Sequence, residues 1–205
     1  MNVSLSTLSS STKVVCNKED VVLLKDGNEE IKNKYRIIFN AHNSNFPIKA
    51  IVGLKLYALL YELNRDIIHT FKIIKEDDSA IETLFLFKPF GKDFGISPRC
   101  MHMISTSTMS YDTDGSGSNA YIFDSVDVVV DAGIINIPKK YERIQTTHSK
   151  LIVYLISEYD LQFDFTFHLN EDDSSNESPI YMENSIALMI KKMFCRLKVF
   201  TERMT

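Results

Sequence analysis

Residues 161–169, LQFDFTFHL, alternate without a break: Leu161, Phe163, Phe165, Phe167 and Leu169 share one parity, and Gln162, Asp164, Thr166 and His168 the other. A β-strand turns successive side chains to opposite faces, so this run specifies a strand with one buried apolar face and one wet polar face. A helix would scatter the same apolar residues around its circumference. The preceding run, KLIVYLIS (150–157), also reads as a strand, and only Glu158, Tyr159 and Asp160 separate the two. The pair is therefore an antiparallel hairpin. A sheet with one apolar face needs a cover, and that need organises the rest of the chain.

More strands are legible. VVLL (21–24) and KYRIIFNA (34–41) form a loose hairpin through Asp26-Gly27, FKII (71–74) and TLFLF (83–87) flank the acidic turn EDDSA, and YIFDSVDVVVD (121–131) precedes GIINIP (133–138). Two helices supply the cover. Asn45 or Ser44 can cap the first and Pro47 suits its first turn. It runs over about 48–65, with Ile48, Ile51, Val52, Leu56, Leu59, Leu60 and Leu63 at three- and four-residue spacing. Leu54, Tyr57 and Tyr61 widen its apolar surface beyond one stripe. Ser178 and Pro179 open the second, in which Ile180, Ile186, Met189, Ile190, Met193, Phe194, Leu197 and Phe200 line one side and Lys191, Lys192, Arg196 and Lys198 crowd the last turns. The expected class is α+β: a single domain over 13–205, mainly antiparallel sheet packed against two helices. Residues 1–12, rich in serine and threonine, are expected to be a disordered arm. From Pro89 to Ala120 the pattern dissolves into a long mid-chain loop in which MHMIS (101–105) forms at most a short strand.

Composition narrows the function classes. The chain has 205 residues, long enough for a substantial core, with a net charge of −4 that is the wrong sign for a general nucleic-acid coat. Cys16, Cys100 and Cys195 are far apart, so neither a disulfide framework nor a structural zinc site is expected. No apolar run approaches the ~18 residues that span a bilayer. The N-terminus lacks a basic start and an apolar stretch, so a secreted protein is not expected.

Candidate chemistry is sparse. DTDGSGSNAYIFD (112–124) starts like a calcium loop, with Asp112, Asp114 and Ser116 at the first, third and fifth positions and Gly117 at the turn. The twelfth position, which needs a bidentate carboxylate, is Phe123, so no calcium is expected. The Gly115/Gly117 turn leads into a strand rather than a helix and does not cradle phosphate. Cys100 and His102 would share a side of an extended segment as a thiol and base, but no third residue is placed to orient them. His168 sits on a polar strand face beside Asp164 and Thr166. Neither enzyme activity nor a cofactor or metal is expected.

One resemblance bears on function. KYRIIFNA leading into the 48–65 helix, and GIINIPKKYERI followed by LIVYLIS and FDFTFHLNEDD, resemble rhabdovirus-type matrix proteins, the vesiculovirus branch in particular. The resemblance implies a viral structural protein of the virion and host cytoplasm. It would associate with itself, lie on the inner face of an anionic membrane and condense the viral nucleocapsid. Residues 1–12 carry no basic residue, so the membrane or nucleic-acid contact falls to Lys191, Lys192, Arg196 and Lys198. The expected acceptor for self-association is apolar surface around Leu54, Tyr57 and Tyr61. The alternative is a viral accessory module, a movement protein or host-defence antagonist, whose partners are host proteins.

Overall fold

The computed structural model describes residues 12–27, 33–89, 97–111, 119–128, 137–144, 146–169 and 180–205. In chain order the elements are β1 (Thr12–Lys18), β2 (Val21–Asp26), β3 (Lys34–His42), a 3-10 turn (Ile48–Ile51), α1 (Leu56–Leu63), β4 (Ile68–Glu76) and β5 (Ala80–Phe87). There follow β6 (Arg99–Ser110), β7 (Ala120–Asp127), β8 (Glu142–Arg143), β9 (Thr146–Leu155), β10 (Asp160–Leu169) and α2 (Ile180–Arg203). The strands form one ten-stranded sheet in the order β1-β2-β3-β10-β9-β7-β6-β5-β4. Neighbours on this path are antiparallel, and β8 adds a short parallel contact to β6 at Arg99 and Cys100, just past the segment that pairs with β7. The α+β class, with a dominant antiparallel sheet and two helices, is therefore what the chain adopts.

The alternation of 161–169 becomes the register of the sheet centre. Phe163 pairs with Phe39 and Val153, and Phe165 with Ile37 and Leu151, so their side chains share one face. We call this face, which both helices cover, the inner face. From α2 come Ile186, Ala187, Ile190, Met193, Phe194 and Leu197, all buried at the three- and four-residue spacing of one helical stripe. Phe194 contacts the rings of both Phe39 and Phe165. α2 lies over the β2–β3 half, and α1 packs against α2 and β4.

Three differences from the sequence expectation have local causes. Residues 48–65 do not form one helix. Val52 is extended (φ −82°, ψ 119°) between the 3-10 turn and α1. Gly53 follows it with nothing within 4 Å of where a side chain would sit, so no packing holds a helix there. Residues 12–18, the first of them assigned to the arm, form β1 with a bulge between Val14 and Cys16. Its hairpin turn puts Glu19 and Asp20 at φ 62° and 54°, the primed-turn geometry for which asparagine and glycine are the usual sequence signs. The short MHMIS strand is the twelve-residue β6. Residues 1–11, 90–96 and 112–118, where the rest of the expected arm, the mid-chain loop and the calcium-like run lie, fall outside the described residues, as does most of GIINIP.

Asn43 joins the sheet to the end of α2. Its Oδ1 accepts the amides of Asn45 and Phe46, each at 2.9 Å, which closes the bend leading out of β3, while the 3-10 turn itself starts at Pro47 with no side-chain cap from Ser44 or Asn45. Its Nδ2 donates to the carbonyls of Thr201 at 2.7 Å and Met204 at 2.9 Å, which the helix end leaves without intrahelical partners. The residue is buried. Asn43→Ala is expected to cost about 3 kcal/mol, since it strands several buried backbone groups at once. Chemical denaturation would measure the loss, and a loss below about 1 kcal/mol would show that water replaces the amide.

Candidate functional site

Registers define one cross-strand row on the inner face. Ser105 of β6 pairs with Ser125 of β7, Ser125 with Ser149 of β9, Ser149 with Phe167 of β10, Phe167 with Tyr35 of β3 and Tyr35 with Lys25 of β2. Three serines in adjacent strands therefore lie side by side on the covered face, and all three are buried. Ser105 and Ser125 hydroxyls are 2.7 Å apart, and the Tyr57 hydroxyl, lowered from α1, is 3.1 Å from Ser125. Burial pushes the Tyr57 phenol up, which keeps it protonated and able to donate. The neighbouring row runs Thr83, Met103, Asp127. Thr83 is 0% exposed and its hydroxyl has no hydrogen-bond partner among the described residues.

Rows further along the strands are apolar: Phe123, Leu151, Phe165, Ile37 and Leu23 align across the sheet. Tyr57 meets Phe123 edge-on with centroids 6.3 Å apart, and Tyr61 stacks on Phe71 at 5.5 Å. At the other end of the serine row, Tyr35 stacks on Phe167 and its hydroxyl donates to Asn184 of α2 at 2.9 Å. Lys25 sits 3.5 Å from the Glu183 carboxylate. The first turn of α2 is thereby tied to the sheet. The inner face offers a wide aromatic floor with one buried strip of hydroxyls. Two surface grooves lie elsewhere: one of about 580 Å³ beside the last turns of α2, and one of about 420 Å³ on the outer face around Arg36 and Asp164.

The sequence-derived site residues are found in other surroundings. Lys191 is buried and donates to the Lys18 carbonyl at 3.0 Å. Arg196 grips Asp66 with both terminal nitrogens and holds that carboxyl down at about 2, Lys198 is bound to Glu202, and Lys192 is exposed. Three of the four cations thus bind within the chain and do not form a free basic edge. Leu54, Tyr57 and Tyr61 are partly buried against the core and offer no exposed docking surface. Cys100 and His102 do share a face, the outer one, and Glu82 supplies the orienting group at 2.8 Å from His102 Nε2. Both are buried, and burial pushes the Cys100 thiol up, away from the reactive thiolate. His168 lies on the outer face, where desolvation lowers its pKa. Phe123, at the twelfth calcium position, is fully buried.

The hydroxyl strip had a weak signal: MISTSTMS alternates at period two, but its serines and threonines mimic a wet loop. Replacing the unpartnered hydroxyl by a methyl of the same shape removes a buried polar group. Thr83→Val is therefore expected to raise the stability of the ligand-free protein by about 1 kcal/mol. A thermal melt that falls instead would show that the hydroxyl has a partner within the protein.

No family model matches this sequence, and no curated protein matches it. Solved structures do. A human StarD13 (DLC2) lipid transfer and protein localization domain matches with TM-score 0.65 and 9% identity over 94% of this chain and 90% of that one. Human STARD10 matches with TM-score 0.63 and 11% identity over 94% and 75%. A STAR-related lipid transfer protein fragment from Xanthomonas axonopodis matches with TM-score 0.63 and 11% identity over 93% and 98%. The chain shares their fold. This overturns the rhabdovirus matrix resemblance, which rested on element order and a short degenerate run. Neither the matrix role nor the accessory-module alternative is supported, and self-association, the anionic membrane and the nucleocapsid lose their basis as partners.

Proposed function

We propose that the protein binds a lipid-like small molecule between its two helices and the inner face of its sheet, and that it acts as a carrier rather than an enzyme. The observation that carries this reading is incomplete burial on the helix-covered face. Phe71, Met101, Tyr121, Leu155, Phe165 and Met189 pack against the core yet remain partly open to solvent. A close-packed interior leaves little such surface. Apolar side chains flanking a buried hydroxyl strip are the lining expected of a pocket for a molecule with an apolar body and a polar end. The solved structures of the same fold include lipid transfer proteins, which supports the reading by analogy of fold. The nearest thing to a catalytic set, Cys100 with His102 and Glu82, lies buried on the opposite face.

The physics of carriage suits this architecture. Each methylene taken from water is worth about 0.8 kcal/mol, and a bilayer offers the ligand the same gain. A carrier needs only a dry apolar path of comparable quality, which an aromatic sheet floor under two helices provides.

Phosphatidylcholine donor vesicles holding a quenched fluorescent-tailed lipid, mixed with unlabelled acceptor vesicles, test the proposal. Catalytic amounts of protein are expected to speed transfer. Met189→Trp, which enlarges a half-buried side chain of α2 packed against the core, is expected to slow it while the far-ultraviolet dichroism stays unchanged. No acceleration, together with no lipid retained on the protein after gel filtration, would overturn the reading.

A further inference from the structure

The hydroxyl strip constrains what the ligand's polar end can be. A hydroxyl carries one donor and two acceptor sites. The two hydrogen bonds among Ser105, Ser125 and Tyr57 use two of the cluster's three donors and leave acceptor sites over. Thr83, diagonal to Ser105 across β5 and β6, has a whole hydroxyl unspent. The complement of such a strip is a group that donates as well as accepts.

Charge narrows the choice further. Two arginines adjoin this end of the floor, and each is ion-paired through a terminal nitrogen: Arg143 lies 3.1 Å from Asp127, and Arg99 lies 2.6 Å from Glu142. Asp127 ends β7 two residues along from Ser125, and its carboxylate is held by Arg143. Among the described residues, a phosphate or carboxylate here would have to compete with Asp127 and Glu142 for these two arginines. An ammonium group would arrive beside a carboxylate already held by Arg143 and would be left buried without compensation.

Resting on the reading of the inner face as the ligand site, we infer that the ligand is an uncharged amphiphile bearing a free hydroxyl, bound with that end inward against Ser105, Ser125, Thr83 and Tyr57. The strip reads the O–H, and the apolar rows beyond it take the tail without selecting its shape.

A matched series with one tail and different ends tests this: oleyl alcohol, methyl oleyl ether, octadecene, oleate and oleylamine, each delivered from cyclodextrin and titrated by calorimetry. Oleyl alcohol is expected to bind about tenfold more tightly than the ether or the alkene, which is the worth of one neutral hydrogen bond, and more tightly again than either ion. In Thr83→Val and Ser125→Ala the alcohol-to-alkene ratio is expected to fall towards one, and Thr83→Ser, which restores the hydroxyl, is expected to restore it. Binding of oleate or octadecene as tightly as the alcohol would overturn the inference while leaving the inner face as a lipid site. An unchanged ratio in both deletion variants would overturn it as well. Failure of every probe to bind would count instead against the inner face as a ligand site.

Discussion

Phe163 lies flat on Phe39, their centroids 4.6 Å apart and their planes within 4°, and Phe194 of α2 closes on the Phe39 ring and on Phe165 from above. This contact ties three distant stretches of sequence at the point where the sheet is most deeply covered. It also sets the register. A slip of one residue between β3 and β10 would turn Phe163, Phe165 and Phe167 to the outer face and bring Asp164 and Thr166 against α2. Because every other strand is laid down outward from this pair, the same constraint decides that Ser125 and Ser149 face inward.

The outer face follows from the same parity. Asp164 is buried there and accepts from Arg36 in a two-pronged contact, at 2.8 Å from Nε and 2.5 Å from Nη2. Val22, Leu24 and Ile38 form a small second apolar cluster, and Leu84, Leu86 and Cys100 a third, beneath Ile137 and Tyr141. The wet side of the sheet is thus partly roofed by the segment that carries β8. This explains how His102 and Cys100 become buried on a face that alternation alone would assign to water.

What the sequence made legible was whatever depends on period. β3, β5, β9, β10 and α2 are recoverable because their apolar residues repeat at two or at three-to-four, and the layer arrangement follows from the need to cover one sheet face. What it hid depends on partners. Lys191, Arg196 and Lys198 look like a free basic edge until the Lys18 carbonyl, Asp66 and Glu202 are placed beside them, and Lys18 and Asp66 come from distant elements. β6 looked like a loop because hydroxyl side chains occupy its inward positions. The matrix resemblance failed for a related reason, since element order is shared by many sheet-and-helix folds while strand order and register are not. The serines themselves were in plain view; only their alignment across three strands was not, because that is a property of pairing.

That alignment is hard to explain by stability alone. Valine or alanine at Ser105, Ser125 and Ser149 would suit a buried sheet face better, since apolar residues there need no hydrogen-bond partners and have equal or better strand-forming character in valine's case. The cluster recovers part of the cost by bonding internally, with Tyr57 reaching down from α1 to join it. It does not recover Thr83, whose hydroxyl is sealed from water and unmatched among the described residues. Local departures from the best-packed solution concentrate where a protein meets its ligand. Here they fall on one row and its immediate neighbour, on the helix-covered face, beneath the one tyrosine that α1 directs at them, and they are all of one chemical kind.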